Sequence, residues 1–310
     1  MADLVSIGLS VIDYVFLCAG DEEGTLRVVE DHVVQGGGMA ATAAVTMARL
    51  GASVELWTRV GDGTPGRFII EQLHDEGVDA SQVRVCPGGR SPACAVLVDR
   101  RDGERRFIFF PGHGLDPSTD HLDLTRLDSA KAILVDCTWP QAQILAARHA
   151  RQRGMPVCGD IERLPPEVLE LVGLIDYPIY SLECAQAWGR TGSIEADLRA
   201  VAELGGIVPM VTLGDRGCIW LEEGEVWRLP AFEVKVLDTT GCGDVFHGAF
   251  TFGLAQGWDV ATIARFASAT AALKCRALGG RTAIPSYDEV IAFLDQHPGA
   301  GHRAGGPGSE

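Results

Sequence analysis

The feature that most constrains the fold is a regular alternation of short apolar runs with longer segments of helical periodicity. The runs that predict strands are 4–8, 54–60, 132–135, 155–159, 174–180 and 207–213. The segments that predict helices are 40–50, 66–76, 141–153, 195–204 and 259–274. Strands that alternate with helices pair in parallel and are covered by those helices. The sequence therefore predicts an α/β fold with three layers and a mainly parallel central sheet.

Two extended segments interrupt this alternation, at residues 14–37 and 90–112. The second is typical of a hairpin, with strands at 94–98 and 106–110 on either side of a turn at 100–104. Because extended segments inserted between parallel units leave the main sheet, we expect both to form a small separate β-layer that acts as a lid.

The predicted lid has consequences for assembly. A small β-layer with one apolar face needs cover, and its exposed edges invite pairing with another chain. Val96, Phe107 and Phe109 alternate along the second segment and supply that apolar face. The pattern predicts a homodimer that forms through the lid, and a lid that closes only on its own domain is the alternative.

Length and composition bound the domain organisation. A chain of 310 residues with 46% hydrophobic residues buries a large core. We expect residues 1–298 to form a single domain. The tail at 299–310 consists of Gly, Pro and polar residues, which predicts disorder.

Charge and cysteine content narrow the class of protein. A formal net charge of −16 argues against a nucleic-acid-binding surface and against a basic membrane-binding face. The nine cysteines are odd in number and form no C-x-x-C pair, which is typical of reduced thiols. The chain begins with a strand-like run and has neither a signal peptide pattern nor an apolar membrane span. We expect a cytoplasmic protein.

Residues 238–244 form a glycine-rich turn that leads into an apolar helix, with an Asp at each end. Unpaired amides at a helix N-terminus bind anions, and glycines let a phosphate approach the backbone closely. A carboxylate beside a phosphate site repels its ligand unless it does chemistry, such as taking a proton from an attacking hydroxyl. The pattern favours phosphoryl transfer over the alternative, an Asp that caps an ordinary helix.

Two separated motifs resemble the signatures of the ribokinase-like, or pfkB-type, carbohydrate kinases. Residues 36–44, Gly-Gly-Gly-Met-Ala-Ala-Thr-Ala-Ala, resemble the N-terminal glycine signature of that family. Residues 238–244 resemble its C-terminal signature, Asp-Thr-x-Gly-Ala-Gly-Asp, with Cys242 in place of Ala. The resemblance extends from Gly8 to about Leu294 and implies a ribokinase-like fold and an ATP-dependent carbohydrate kinase.

The resemblance implies a catalytic role for the second motif. Asp244 would be the catalytic base. The backbone amides of Gly241, Cys242 and Gly243 would form the anion hole for charge that develops on the transferred phosphoryl group. Cys242 would act through its backbone, and we expect its thiol to pack as a small apolar group.

The sugar site is implied by residues that follow strands or carry the first motif. Asp13 would accept hydrogen bonds from two hydroxyls, and Gly37 and Gly38 would let the backbone meet the substrate. Thr42 stands where many family members have a sugar-binding Asn, and a hydroxyl offers fewer hydrogen bonds. Asp136 ends a predicted strand and would bind a further hydroxyl.

The resemblance also implies sites for nucleotide and metals. The nucleotide-binding residues would be Thr212, Gly214, Gly217 and Ser268. Glu183 would organise Mg²⁺ through water, although Tyr180 stands where the family motif has Asn. A monovalent cation such as K⁺ would be held by Asp238, Thr240, Cys275, Leu278 and Gly280. A loop tied only by backbone hydrogen bonds is the alternative.

The substrate class follows from departures within the family. The motifs are nearest to the branch that phosphorylates sulfofructose, but Thr138 and Phe109 replace the Arg and Asn that serve the sulfonate there. We therefore expect a neutral ketose or pentose, such as a fructose- or ribose-like sugar, phosphorylated on a primary hydroxyl.

Three alternatives remain. A kinase of an anionic sugar would use the arginines Arg27, Arg90, Arg105 and Arg106. The same fold also hosts nucleoside kinases. A ligand-sensing pseudokinase would lose the base, and Asp244 argues against it. A dinucleotide oxidoreductase is excluded because Gly-x-Gly-x-x-Gly does not follow the first predicted strand.

Overall fold

The described part of the chain contains most of its residues. The structure, a computed structural model, describes residues 2–18, 28–163, 168–188, 192–299 and 302–303. The strands are β1 (Leu4–Ile7), β2 (Val11–Cys18), β3 (Asp31–Gly37), β4 (Val54–Trp57), β5 (Arg59–Gly61), β6 (Arg84–Cys86), β7 (Ala93–Asp99), β8 (Arg105–Phe110), β9 (Ala132–Val135), β10 (Val157–Ile161), β11 (Tyr177–Ser181), β12 (Met210–Thr212), β13 (Cys218–Glu222), β14 (Glu225–Leu229) and β15 (His302–Arg303).

A mainly parallel sheet forms the centre of the molecule. Its strand order is β15-β14-β13-β12-β11-β10-β9-β1-β4 among the described residues. The neighbours from β4 to β12 are parallel, and β13, β14 and β15 extend the sheet in antiparallel pairs. The predicted α/β fold with a mainly parallel central sheet is confirmed.

Helices cover both faces of this sheet. They are α1 (Met39–Arg49), α2 (Thr64–Asp75), α3 (Pro140–Gln152), α4 (Leu169–Val172), α5 (Leu182–Trp188), α6 (Ile194–Glu203), α7 (Cys242–Ala255), α8 (Val260–Lys274) and α9 (Tyr287–Gln296). Side chains alternate along β1, so that Leu4 packs with α1, α7 and α8 while Val5 and Ile7 pack with α3 and α6. Gly248 lets α7 approach α1 closely, because a Cβ there would lie 2.6 Å from the carbonyl oxygen of Ala43.

Several predicted boundaries differ from the structure. The predicted strand 54–60 is two strands, because the carbonyl of Thr58 accepts a hydrogen bond from Arg84 N at 2.8 Å and β5 then pairs with β6 away from the main sheet. The strands predicted at 155–159, 174–180 and 207–213 lie two or three residues from their predicted starts. The hairpin of β13 and β14 and the helix α9 were not predicted.

The two extended segments form a separate four-stranded sheet, in the order β3-β2-β7-β8. Its inner face includes Val15, Val96 and Val98, which pack with Leu237 and Leu278 near the start of α7 and the end of α8. This arrangement holds the small sheet against the part of the molecule that carries the second motif.

Of the three residues predicted to supply the apolar face of the small sheet, Phe107 and Phe109 are 54% and 49% exposed and Val96 is not. Val96 is fully buried, since it lies on the inner face. Across the outer face, Val34, Tyr14 and Ile108 lie in one cross-strand row and are 39%, 39% and 66% exposed. Phe107 pairs with Val96 but is 54% exposed, because β8 is the edge strand.

Two residues of the predicted disordered tail are paired instead. His302–Arg303 forms a strand on β14, opposite Arg228 and Trp227. The physical reason is that an edge strand offers unpaired backbone groups to any extended segment nearby.

All nine cysteines are free thiols. None of the described helices is long and apolar enough to cross a bilayer.

Candidate active site

The glycine-rich turn delivers the chain into α7. Gly241 is the N-cap of this helix and has φ 71°, in the left-handed region that favours glycine. No side chain caps the helix. Cys242 N donates to the carbonyl of Thr239 at 3.2 Å, and an uncapped helix N-terminus favours an anion, as in phosphate-binding helices.

The Cys242 thiol, predicted to pack as a small apolar group, lies near a second thiol and near positive charges. It is half-buried at the start of α7, next to the thiol of Cys275. The neighbouring Cys275 side chain lowers the pKa of Cys242, and the charges of Arg105 and Lys274 act in the same direction. Two positive charges therefore lie close enough to the turn to act on it.

Asp244 lies in the first turn of α7. Burial raises the pKa of Asp244 to about 7, and the negative charge of Glu162 adds to the shift, whereas Arg105 opposes it. A carboxyl group with this pKa is partly deprotonated at neutral pH. It is therefore suited to accept a proton from a hydroxyl.

Asp13 is a second buried carboxyl group of this region. It lies on β2 with 7% of its surface exposed, and burial raises its pKa to about 6 although Arg281 opposes the shift. Its carboxylate lies against Gly37, where a Cβ would overlap it. Asp13 is close enough to Asp244 for its charge to contribute to the raised pKa there. The structure thus brings the two predicted carboxylates into one region.

Arg281 is a residue of this region that the sequence analysis missed. Its side chain is 3% exposed, and Nη2 donates to the Gly37 carbonyl at 3.1 Å while Nε donates to Thr42 Oγ1 at 3.3 Å. Nη1 is buried without a hydrogen-bond partner, beside Gly36. Burial lowers the pKa of Arg281 to about 10, so the group is charged at neutral pH. The signal in the sequence was a charged residue in a loop of small residues before Pro285.

The other predicted sugar residues of the first motif lie at the start of α1. Gly38 is the N-cap of the helix, and its carbonyl accepts a hydrogen bond from Thr42 N at 2.8 Å. Thr42 is 1% exposed and its hydroxyl is bonded to Arg281. Arg281 therefore has a hydrogen-bond donor to spare here, whereas the Thr42 hydroxyl already accepts a bond from Arg281.

The Asp136 carboxylate is surrounded by hydrogen-bond donors of the protein itself. Its two carboxylate oxygens accept hydrogen bonds from Leu9 N, Ala40 N, Thr138 N, Thr138 Oγ1 and Gln143 Nε2, at 2.6 to 3.2 Å. A carboxylate offers about four lone-pair positions, and these bonds use them. These bonds tie α1 and α3 to β9 and leave Asp136 little acceptor capacity for the sugar hydroxyl that the sequence predicts.

Arg105 joins the small sheet to the glycine-rich turn. Its Nη1 donates to Thr239 Oγ1 at 2.6 Å, and Thr239 Oγ1 donates to the carbonyl of Gly103 at 3.0 Å. Nε of Arg105 is buried without a hydrogen-bond partner. A guanidinium with a spare donor thus lies beside the N-terminus of α7.

The other residues that bear on an anionic substrate are exposed, lie outside the described residues or are already hydrogen-bonded. Arg90 and Arg106 are exposed, and Arg27 lies outside the described residues. Thr138 Oγ1 donates to the Asp136 carboxylate at 2.6 Å. Phe109 is half-exposed at the end of the cross-strand row that begins with Asp13.

Acidic residues that the sequence analysis missed follow the main sheet. Asp160 on β10 is 4% exposed, and burial together with the charge of Asp244 holds its pKa well above the ordinary range. The charge of Glu162 interacts with that of Glu183, which is exposed in the first turn of α5. No group of three His, Cys, Asp or Glu side chains in the described ranges is arranged to enclose a metal. This excess of carboxylates suits Mg²⁺, which keeps several waters and needs few protein ligands.

The residues predicted to bind nucleotide lie near one another. Thr212 ends β12, and the turn that follows includes Gly214, which is exposed. Gly217 has φ 89° and lies where a Cβ would overlap the carbonyl of residue 229. Ser268 on α8 lies beside the thiol of Cys218, directly after this turn. The turn is therefore open to solvent and flanked by α8.

The residues predicted to hold a monovalent cation lie where the loop before α7 meets the loop after α8. They are Asp238, Thr240, Cys275, Leu278 and Gly280. The Asp238 carboxylate accepts hydrogen bonds from Thr240 N and Gly279 N, both at 2.7 Å. These bonds fix the glycine-rich turn to the second loop.

The α/β fold, the uncapped helix N-terminus and the carboxyl group beside it define a protein of the kinase type. The model of the pfkB family of carbohydrate kinases matches residues 1–286, and the chain belongs to that family. An aminoimidazole riboside kinase from Salmonella typhimurium is 28% identical over 283 residues, which cover 84% of this chain and 88% of that protein. A ribokinase from Lactococcus lactis is 27% identical over 86% of this chain and 88% of its own. Fructokinase-1 from Oryza sativa is 27% identical over 94% of this chain and 97% of its own length.

Solved structures agree with this assignment. A structure from Agrobacterium tumefaciens has a TM-score of 0.88 and 28% identity, and covers 94% of this chain and 97% of its own. Ribokinase from Thermotoga maritima has a TM-score of 0.80 and 26% identity, with coverage of 95% and 100%. Arabidopsis thaliana ribokinase, solved with ribose and ATP, has a TM-score of 0.81 and 25% identity, with coverage of 94% and 98%. The predicted ribokinase-like fold and carbohydrate kinase class are confirmed.

Proposed function

We propose that this protein transfers the γ-phosphoryl group of ATP to a primary hydroxyl of a small sugar, with Asp244 as the general base. The observation that carries the proposal is the position of Asp244, with a pKa of about 7, at the uncapped N-terminus of α7. Phosphoryl transfer needs a proton acceptor for the attacking hydroxyl beside a site for the charge of the phosphoryl group. Both are provided within four residues of the chain.

The mechanism follows from these positions. As the sugar oxygen attacks the γ-phosphorus, its proton passes to the Asp244 carboxylate and the bond from phosphorus to ADP breaks. The amides of Gly241, Cys242 and Gly243 stabilise the charge on the phosphoryl oxygens, and Arg105 supplies a charged donor from the lid. Asp13 orients the sugar by accepting hydrogen bonds from its hydroxyls.

ATP and Mg²⁺ complete the reaction. Membership of the family and the Arabidopsis relative solved with ribose and ATP support ATP as the donor. The turn at 212–217 and Ser268 would hold the adenosine end of the nucleotide. Glu162 and Glu183 would hold Mg²⁺ through water, and the bound ion would neutralise phosphate charge. The nine free thiols suit a reducing compartment such as the cytoplasm.

The acceptor that these residues suit best is a neutral ketose or pentose. Asp13 and the backbone at Gly37 and Gly38 favour a small polyhydroxylated molecule, and Thr138 and Phe109 offer no cationic donor for a sulfonate. ADP release across neutral sugars, sugar phosphates, sugar acids, sulfosugars and nucleosides tests this choice. A clear preference for an anionic sugar would overturn it, and a preference for nucleosides would assign the alternative class.

The raised pKa of Asp244 predicts how activity depends on pH. Because the base must be deprotonated, kcat/KM is expected to rise about tenfold per pH unit below an apparent pKa near 7 and to level off above it. Glu162→Gln removes the second cause of the shift. In this variant the rising part of the profile, here called the limb, is therefore expected to move to lower pH. An unchanged limb in this variant, or a flat wild-type profile between pH 5 and 7, would contradict the assignment.

Arg105 is expected to contribute to turnover. Loss of a charge-assisted hydrogen bond costs about 1.5–3 kcal/mol, so Arg105→Ala is expected to lower kcat by about 10- to 100-fold with a smaller effect on the KM of the sugar. Arg106→Ala, the neighbouring exposed residue, is the matched control. Steady-state kinetics of both variants check this, and equal effects in the two would argue against a role at the phosphoryl group.

The small sheet is proposed to be a lid of the kinase domain and its dimer contact. The exposed row of Val34, Tyr14 and Ile108 is an apolar surface that a second copy of the chain would cover. We expect a dimer in analytical ultracentrifugation at micromolar concentration and a monomer for Ile108→Glu. Leu204→Glu changes an exposed leucine on α6's C-cap and is expected to leave the dimer intact. A monomeric wild-type protein would rule out the dimer.

A further inference from the structure

A lysine lies inside the region that the resemblance assigns to a monovalent cation. Lys274, the last residue of α8, is 0% exposed. Its Nζ donates a hydrogen bond to the backbone carbonyl of Asp238 at 3.0 Å. Asp238 is also 0% exposed, so the ammonium group of Lys274 and the carboxylate of Asp238 are both buried. Buried charges of this kind are stable only when they are compensated.

Asp238 and Cys275, two of the five residues named for the cation, already use oxygen atoms in hydrogen bonds. The Asp238 carbonyl accepts from Lys274, and the Asp238 carboxylate accepts from two backbone amides. The Cys275 carbonyl accepts from Leu237 N at 2.8 Å and from Asp238 N at 3.2 Å. Thr240 Oγ1 is buried without a hydrogen-bond partner, but one oxygen does not replace the several that a dehydrated cation needs. The buried ammonium beside these oxygen atoms therefore argues against a bound K⁺ in the same place.

Electrostatics leads to the same conclusion. The Lys274 ammonium, which is bonded to the backbone carbonyl of Asp238, brings a positive charge into the same buried region as the Asp238 carboxylate. A second cation in the same enclosure would be repelled, since charge repulsion is strong where water is excluded. An ammonium group carries the same charge as K⁺ and likewise interacts with carbonyl oxygens, which makes it a chemical substitute for the ion.

We propose that Lys274 is a built-in cation, which replaces the monovalent ion and makes this kinase independent of K⁺. Its ammonium ties the end of α8 to Asp238, at the start of the turn that supplies the anion-hole amides. The covalent attachment of the charge to the chain keeps this turn ordered at any salt composition. A test by turnover rests on the proposed function, whereas a test by unfolding temperature does not.

The wild-type protein tests the proposal directly. Turnover is expected to be the same in KCl, NaCl and choline chloride at equal ionic strength. The unfolding temperature is expected to be the same in these salts, because a ligand that binds the native state raises it and K⁺ would not bind. Saturating activation by K⁺, or an unfolding temperature raised by K⁺ and not by choline, would overturn the proposal. The unfolding measurement decides even if no sugar is turned over.

Lys274→Met removes the charge and keeps most of the side-chain volume. We expect kcat to fall by about tenfold or more, with part of the loss restored by K⁺ or methylammonium. Lys131→Met, at a surface lysine paired with Asp3, is the matched control and is expected to show neither effect. A Lys274→Met protein with unchanged kcat and no response to cations would contradict the proposal, and if that variant does not fold, the wild-type comparison still decides.

Discussion

Replacing Asp244 with Asn is expected to lower kcat by roughly two to four orders of magnitude. The amide keeps the shape of the side chain but cannot accept the proton of the attacking hydroxyl. ATP affinity is expected to change little, because the anion hole is made of backbone amides that the substitution leaves in place. Steady-state ADP release and nucleotide binding by calorimetry check the two halves of this prediction.

The control for Asp244 is another buried carboxyl group near it. Asp160→Asn removes a carboxylate that is 4% exposed and lies 3.4 Å from Nδ1 of His247. It is expected to lower kcat far less than Asp244→Asn does, because Asp160 is not the proposed proton acceptor. Turnover of Asp244→Asn close to wild type would remove Asp244 as the base, whatever Asp160 does.

The second large effect is expected at Asp13. Each hydrogen bond from a sugar hydroxyl to its carboxylate contributes about 1.5–3 kcal/mol, so Asp13→Ala is expected to lower kcat/KM for the sugar by about 100-fold or more. The loss is expected mainly as a higher KM for the sugar, with ATP affinity unchanged. Kinetics with each substrate varied in turn measure the separation.

Folding is a competing cause at this position, because Asp13→Ala leaves the buried charge of Arg281 without its partner. Asp13→Asn keeps the volume and one acceptor oxygen, and its unfolding temperature shows whether the site still folds. Tyr14→Phe, one residue further along β2 and on the opposite face, is the matched control. Equal losses for the sugar and for ATP in Asp13→Asn would show that Asp13 supports the structure rather than the sugar.

The fold was predictable where a single period in the sequence decides it. The alternation of apolar runs and helices identified the central sheet because each element buries one face against its neighbours. The hairpin of β13 and β14 escaped because its stabilising contact is a pair across strands, Trp220 stacked on Trp227 at 6.1 Å. By contrast, α9 carried a local signal that went unread, the capping box of Ser286 and Glu289.

The site was predictable only where it is local in sequence. Residues 241–244 lie within one turn at the start of α7, and a motif identifies them. Arg281 contacts Gly37 across 244 positions of the chain, and no local pattern announces such a contact. The predicted position at the end of a strand did not distinguish the two predicted hydroxyl ligands, and Asp13 lies within β2. Asp13 lies against a glycine, whereas Asp136 is surrounded by five donors.

The central claim is that the γ-phosphoryl group of ATP reaches a primary hydroxyl of a small neutral sugar at Asp244. The most direct measurement is the structure of the product, determined by ³¹P and ¹³C nuclear magnetic resonance after turnover with the sugar that gives the fastest ADP release. The account predicts a phosphomonoester on a primary carbon, formed by the wild-type protein and at a strongly reduced rate by Asp244→Asn. Inorganic phosphate as the only product, or the same ester formed at the same rate by both proteins, would contradict it.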